Sequence, residues 1–153
     1  ISLLDVSIKY DNKELLSYII LNYYDQIKEI LPSKMKYIIN RISNCEDILF
    51  YLIMSKKLKP FHKMLDYCIL KRYNDFFKYT YPRVENKHNG LLMKSCIVND
   101  NVEIFNYLFK LKFCFTYFNR NKIFFSKINK INFDFSLNQK IINLFYFMVS
   151  TRV

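Results

Sequence analysis

The chain has 153 residues, 52% of them hydrophobic and 18% aromatic, and a formal charge of +11. That much apolar side chain excludes a disordered polypeptide, and the length suits one domain or one short array, which in compact form buries about 68–70% of its unfolded surface. A single glycine, Gly90, and three prolines argue against folds built on many tight turns, bulges or close backbone approaches, whereas helices joined by short turns ask for the least glycine.

Taken in chain order, the sequence repeats itself. The first unit starts near residue 2 and contains Ser7-Ile8, then Asp11-Asn12, then Glu14-Leu15-Leu16-Ser17-Tyr18-Ile19. The second, near residue 35, is weaker, with Asn40, Asn44 and Asp47-Ile48-Leu49-Phe50-Tyr51-Leu52. The third, near 63, has Cys68-Ile69, Arg72 and Asp75-Phe76-Phe77-Lys78-Tyr79. The fourth, near 91, restores the first in register: Cys96-Ile97, Asp100-Asn101, Glu103-Ile104-Phe105-Asn106-Tyr107-Leu108. Aligned on Ser7, Asn40, Cys68 and Cys96, the copies are 33, 28 and 28 residues apart. A fifth, near 128, is suggested by Ile141-Ile142-Asn143-Leu144-Phe145.

Each unit predicts two short helices. Asp11, Asn44 and Asp100 break the first helix, because Asp and Asn tolerate the left-handed backbone better than other residues with a side chain. Arg72 stands at the same place in the third unit and is the least comfortable of the four. The acid that follows (Glu14, Asp47, Asp75 or Glu103) suits the first turn of the second helix, where the helix dipole favours negative charge. The apolar pair after it and the later aromatic-apolar pair recur at helical spacing and make one buried stripe. One such hairpin cannot bury its face alone, so neighbours must stack. The stretch Tyr81–Gly90 reads as a loop.

This pattern resembles the ankyrin repeat, whose unit of about 33 residues is a turn and two antiparallel helices, with T-P-L-H-x-A opening the first helix. Ser2-Leu3-Leu4-Asp5-Val6-Ser7, Met64-Leu65-Asp66-Tyr67-Cys68 and Leu92-Met93-Lys94-Ser95-Cys96 fall on that motif, and Asp100 through Phe109 is similar to the second helix. The motif's Pro and His are absent from every unit, and Asp11, Asn44, Arg72 and Asp100 stand where the usual Gly would be. The resemblance implies an all-α fold, a short solenoid of four to five helix-turn-helix repeats forming one domain over residues 1–153. It also implies a concave face of first helices and turns, and a non-catalytic role in protein–protein interaction.

No residue pattern demands chemistry. Cys45, Cys68, Cys96 and Cys114 have neither metal-ligand nor redox spacing; a small residue packed between helices accounts for Cys68 and Cys96. Free cysteines point to a reducing, intracellular compartment, the cytoplasm first. His62 and His88 have no ligand-spaced neighbours and read as surface histidines. Glu46-Asp47 reads as a helix start rather than an acid/base pair, since adjacent side chains on a helix diverge. With one glycine, no glycine-rich phosphate cradle exists and no cofactor is implied. No apolar run approaches the ~18 residues of a transmembrane helix. The cluster Lys56-Lys57-Leu58-Lys59 falls at a predicted turn and reads as solvated.

The charge is uneven. Residues 1–50 carry six basic and seven acidic side chains, residues 51–153 eighteen and six, and residues 104–153 eight basic against Asp134 alone. Within Phe113–Lys130 six aromatics interleave with four basic residues and no acid. Basic groups meet phosphates and exposed aromatics stack on unpaired bases. That makes Lys110, Lys112, Tyr117, Phe118, Arg120, Lys122, Lys127 and Lys130 the candidate anion- or RNA-binding set. A core-filling role for the aromatics and a lysine excess from AT-rich coding explain the same residues. The partners this sequence suggests are therefore another protein or a ribonucleoprotein assembly such as the ribosome, with RNA as the alternative ligand.

Overall fold

The computed structural model describes residues 2–111. Among them there are helices and turns and no strand: α1 (Leu3–Lys9), α2 (Lys13–Asn22), α3 (Tyr24–Ile27), α4 (Leu31–Arg41), α5 (Glu46–Met54), α6 (His62–Lys71), α7 (Asn74–Thr80), a 3-10 turn (Tyr81–Arg83), α8 (Asn89–Val98) and α9 (Val102–Lys110). The all-α expectation is met. The described residues divide into two compact units, with the boundary between Glu85 and Asn86. The fifth repeat expected near residue 128 lies outside the described residues.

The first unit holds three helical hairpins, α1/α2, α4/α5 and α6/α7. Their starts are set by local chemistry. The Ser2 hydroxyl accepts the Asp5 N–H at 3.2 Å and caps α1; the Asn12 side chain accepts the Leu15 N–H at 3.0 Å and caps α2. Pro32 sits in the first turn of α4, where its missing N–H costs nothing. Glu14, Asp47 and Asp75 each fall in the first turn of a second helix, as the repeat predicts.

The turns obey the repeat as well. Asp11, Asn44 and Arg72 have φ of 50°, 49° and 60°, the left-handed region. In the first hairpin the Asp11 N–H reaches the Ile8 carbonyl at 3.2 Å and the Asn12 N–H the Ser7 carbonyl at 2.9 Å. Arg72 to Ile69 (3.3 Å) and Tyr73 to Cys68 (3.0 Å) repeat the pair in the third. These are Schellman caps, which satisfy the last carbonyls of a helix.

The second hairpin departs. Its buried pair is Ile38-Ile39, both fully buried, while Asn40, expected at the packing position, is half-buried. After α4 the backbone goes extended at Ile42 (ψ 123°) before Asn44 turns left-handed, so this turn is wider than the others. An apolar pair outcompetes an amide for the interior; burying such a side chain is worth about 1.5–3 kcal/mol. The short helix α3, between the first and second hairpins, is a further element that the repeat pattern does not contain.

Within this unit α1 packs on α4, α4 on α6, and α5 on α7, so first helices stack on first helices. Leu16, Leu31, Met35, Leu49, Leu52, Met64, Leu65, Phe76 and Phe77 are fully buried between them. Phe50 meets Phe76 edge-on, with ring centroids 5.2 Å apart. Lys57 sits 4.2 Å from the Tyr24 ring centroid, and its carbonyl accepts the Tyr24 hydroxyl, so this member of the basic cluster is engaged rather than simply solvated.

In the second unit, α8 and α9 form one more hairpin. Asp100 is left-handed (φ 55°), and its N–H and that of Asn101 close a third Schellman cap on Ile97 (3.3 Å) and Cys96 (2.8 Å). Glu103 lies in the first turn of α9, and the buried Asn101 side chain accepts the Ile104 N–H at 3.2 Å. The expected loop ends early: Asn89 and Gly90 already belong to α8, and His88 caps it, its Nδ1 accepting the Leu91 N–H at 3.2 Å. His88 thus has a structural task that its lack of ligand-spaced neighbours did not reveal.

Candidate interaction surface

The first-unit hairpins are joined turn to turn by polar contacts. The Asp11 carboxylate accepts the Ser43 N–H at 2.9 Å and the Ser43 hydroxyl at 2.7 Å. Lys13 reaches the Asn44 carbonyl at 2.8 Å and the Asp47 carboxylate at 3.0 Å. From the second turn to the third, the Cys45 N–H donates to the Tyr73 hydroxyl at 3.1 Å and the Phe76 N–H to Glu46 Oε2 at 3.1 Å. Glu46 and Asp47 are therefore helix-start residues that also tie neighbouring hairpins.

These ties set the first helices side by side. Asp5 of α1 pairs with Lys34 of α4 at 2.8 Å, and Asp11 beyond α1 with Ser43 beyond α4, so the two helices run parallel. Between the two clamps lies a groove of about 260 Å³. Its floor is Ile8 and one wall is Tyr37, 48% exposed; Lys9 and Arg41 flank it at the turn end. The ammonium of Lys9 lies 5.6 Å from the ring centroid of Tyr10, which is itself 70% exposed.

Both clamping carboxylates are held below the usual aspartate range. For Asp5 the Lys34 contact is the main cause and the Ser2 hydroxyl the second. For Asp11 the Ser43 hydroxyl comes first and the Ser43 N–H second. The thiols go the other way: burial raises Cys45, and raises Cys68 well above the ordinary value. A buried thiol that keeps its proton is a poor nucleophile and a poor metal ligand. Cys68 and Cys96 are both buried at matching places in their hairpins, as a packing role requires; Cys45 is buried too. Among the described residues no group of three or more His, Cys, Asp or Glu could hold a metal ion, and no helix is long and apolar enough to cross a membrane.

Of the sequence-predicted anion-binding residues, Lys110 alone is placed, exposed in the last turn of α9, where a cation complements the helix dipole. Lys112, Tyr117, Phe118, Arg120, Lys122, Lys127 and Lys130 lie outside the described residues. The groove residues Ile8, Lys9, Lys34, Tyr37 and Arg41 carried no signal in the sequence beyond helical spacing, because what makes them a site is the parallel placement of two helices. Compared with family models, with curated proteins and with solved structures, the chain matches none.

Proposed function

We propose that this chain is a non-catalytic binding module, an ankyrin-like protein–protein interaction scaffold. The observation that carries the reading is the parallel, turn-tied stacking of first helices, which leaves the α1/α4 groove open between its two clamps. An extended partner segment places one apolar side chain against Ile8 and Tyr37 and a carboxylate near Lys9 and Arg41. A peptide library displayed on phage and selected on the full chain tests this. Enriched sequences are expected to pair Asp or Glu with Leu or Phe, and Tyr37→Ala and Arg41→Glu should each weaken the selected peptide about tenfold, as losing a hot-spot contact does. Selected peptides indifferent to both changes would remove the groove from the reading.

The second reading is an RNA- or ribosome-associated protein, favoured by eight basic residues against one acid in 104–153. Each phosphate neutralised on a single strand contributes about −0.7 to the log–log salt slope, so six contacts give a slope near −4. Comparing what co-purifies at low and at high salt separates the two: an RNA partner held by six phosphate contacts leaves with salt, whereas a peptide held by one carboxylate and by apolar contact with Ile8 and Tyr37 loses far less.

A further inference from the structure

A second cleft lies in the first unit, away from the α1/α4 groove. It has a volume of about 470 Å³ and sits where α5 and α7 both end. Ile53 and Leu58, 6% and 5% exposed, line its apolar part, and Tyr79 closes one side. Three cations reach it from separate segments: Lys56 just past α5, Lys59 in the loop that follows, and Arg83 in the 3-10 turn after α7. The volume is within the range of small-molecule sites, about 300–1,000 Å³.

The cations are arranged unequally. Arg83 is fixed: its guanidinium lies 3.9 Å from the Tyr79 ring centroid and donates to the Tyr79 carbonyl. Tyr79 in turn packs on Phe50, with ring centroids 5.5 Å apart. The guanidinium thus lies over an aromatic ring that is itself packed, at a tilt of 53°, against a second ring. Lys56 is held by the backbone, left-handed at φ 60°, with its N–H closing on the Ile53 carbonyl at 3.1 Å. Lys59 shares its charge with Glu85 at 3.6 Å, but both side chains are mostly exposed and the pair is weak. The ends of α5 and α7 add about half a negative charge each. With these and Glu85 counted, three full cations still leave the cleft positive.

A guanidinium held over an aromatic ring, beside two lysine ammonium groups, suits a ligand with a flat ring and an anion. Lysine meets phosphate as a point charge, and nucleobases stack on arginine planes as they do on aromatic rings. We propose that this cleft binds a nucleotide phosphate: Lys56 and Lys59 take the phosphate oxygens and the base lies on Arg83. The same chemistry is offered by a free nucleotide and by one residue of a single strand.

The test uses the full chain, with adenosine monophosphate, a fluorescein-labelled uridine octamer and inorganic phosphate as probes. Calorimetry and fluorescence anisotropy read the affinities, and circular dichroism checks that each variant is folded. Lys56→Gln and Arg83→Gln are each expected to weaken nucleotide or octamer binding at least about fivefold, and Lys56→Gln to flatten the octamer's salt slope by less than one unit. Lys36→Gln, an equal charge loss at an exposed position of α4, should leave both within twofold. Arg83→Lys keeps the charge and should still lose affinity, because the plane is gone. Binding of the monophosphate assigns a free nucleotide; binding of the octamer alone assigns a strand. The proposal is overturned if no probe binds, if inorganic phosphate competes as well as the nucleotide, or if Lys36→Gln costs as much as Lys56→Gln.

Discussion

The hydroxyl of Tyr73 accepts the backbone N–H of Cys45 at 3.1 Å, and so completes a turn that the second hairpin does not complete for itself. The equivalent amides, at Asn12, Tyr73 and Asn101, each close on their own helix. Tyr73→Phe therefore strands a buried N–H. It is expected to lower stability by about 1–3 kcal/mol, read as a reduced urea midpoint. A midpoint unchanged within error would mean that water or a rearranged turn takes over the donor.

The same phenol titrates late. Burial is the main reason its pKa is pushed from 10.0 up to about 12. The stabilisation is fully present below pH 10 and is lost as pH rises through the folded value, since the unfolded chain gives up the proton first. Between pH 10 and 12 the wild-type chain should lose stability that Tyr73→Phe does not, so the gap between their midpoints narrows. A gap that stays constant across that range would show Tyr73 ionising like an exposed tyrosine.

At acid pH the first hairpin should loosen from the second. Asp5 and Asp11 both tie those hairpins, and both are held below the ordinary value of 3.8 by their contacts with Lys34 and Ser43 respectively. For a carboxylate depressed in the folded state, stability is present above the unfolded pKa and fades as pH falls through the folded one. Hydrogen exchange in α1 and α2 should accelerate below about pH 4 before that in α6 and α7, and Asp11→Asn should flatten the response. Uniform acceleration across all six helices of the three hairpins would refute it.

Thr80 offers a change in the opposite direction. Its hydroxyl is fully buried at the end of α7 with no hydrogen-bond partner among the described residues. Thr80→Val keeps the branched shape and removes the unpaired polar group, so it should hold or raise stability, by up to about 1 kcal/mol. A loss larger than that would reveal a partner for the hydroxyl.

Cys96 tests packing in the second unit. It is 1% exposed on α8. Cys96→Arg places a long cation in that interior and should cost more than about 3 kcal/mol, enough to unfold a marginal unit. Cys45, Cys68 and Cys96 should all resist a bulky thiol reagent under native conditions; rapid labelling of Cys68 and Cys96 together would count against the register of the repeat.

The repeat in the sequence located what depends on short-range chemistry. Asp11, Asn44 and Asp100 are of the types that break a helix, Arg72 stands at the same place, and all four are left-handed, even Arg72, the least suited to it. Glu14, Asp47, Asp75 and Glu103 fall in first turns because the dipole of the helix they open favours a negative charge there, whatever else the side chain meets. What was not legible is set by residues distant in sequence. Asn40 aligned with Ser7 and Cys68, yet Ile38 took the buried place, because apolar volume outweighed register. Nothing in the periodicity says that Arg83 lies on Tyr79, or that Lys9 and Arg41 flank one groove. Lys56 and Lys59 were visible as a basic turn; the cleft they border needs α7 and its 3-10 turn to exist.

The lone glycine sits inside α8, so each left-handed turn is taken by a residue with a side chain. A glycine would relax the backbone, by up to about 1–2 kcal/mol per site, but would carry no group to present. At Asp11 the side chain is used to recognise Ser43 of the following hairpin. A strained turn thus doubles as an address label. Where identical glycine turns would let hairpins of one chain, or of two chains, stack in any order, a labelled turn admits one neighbour, and local strain is exchanged for an unambiguous order of assembly.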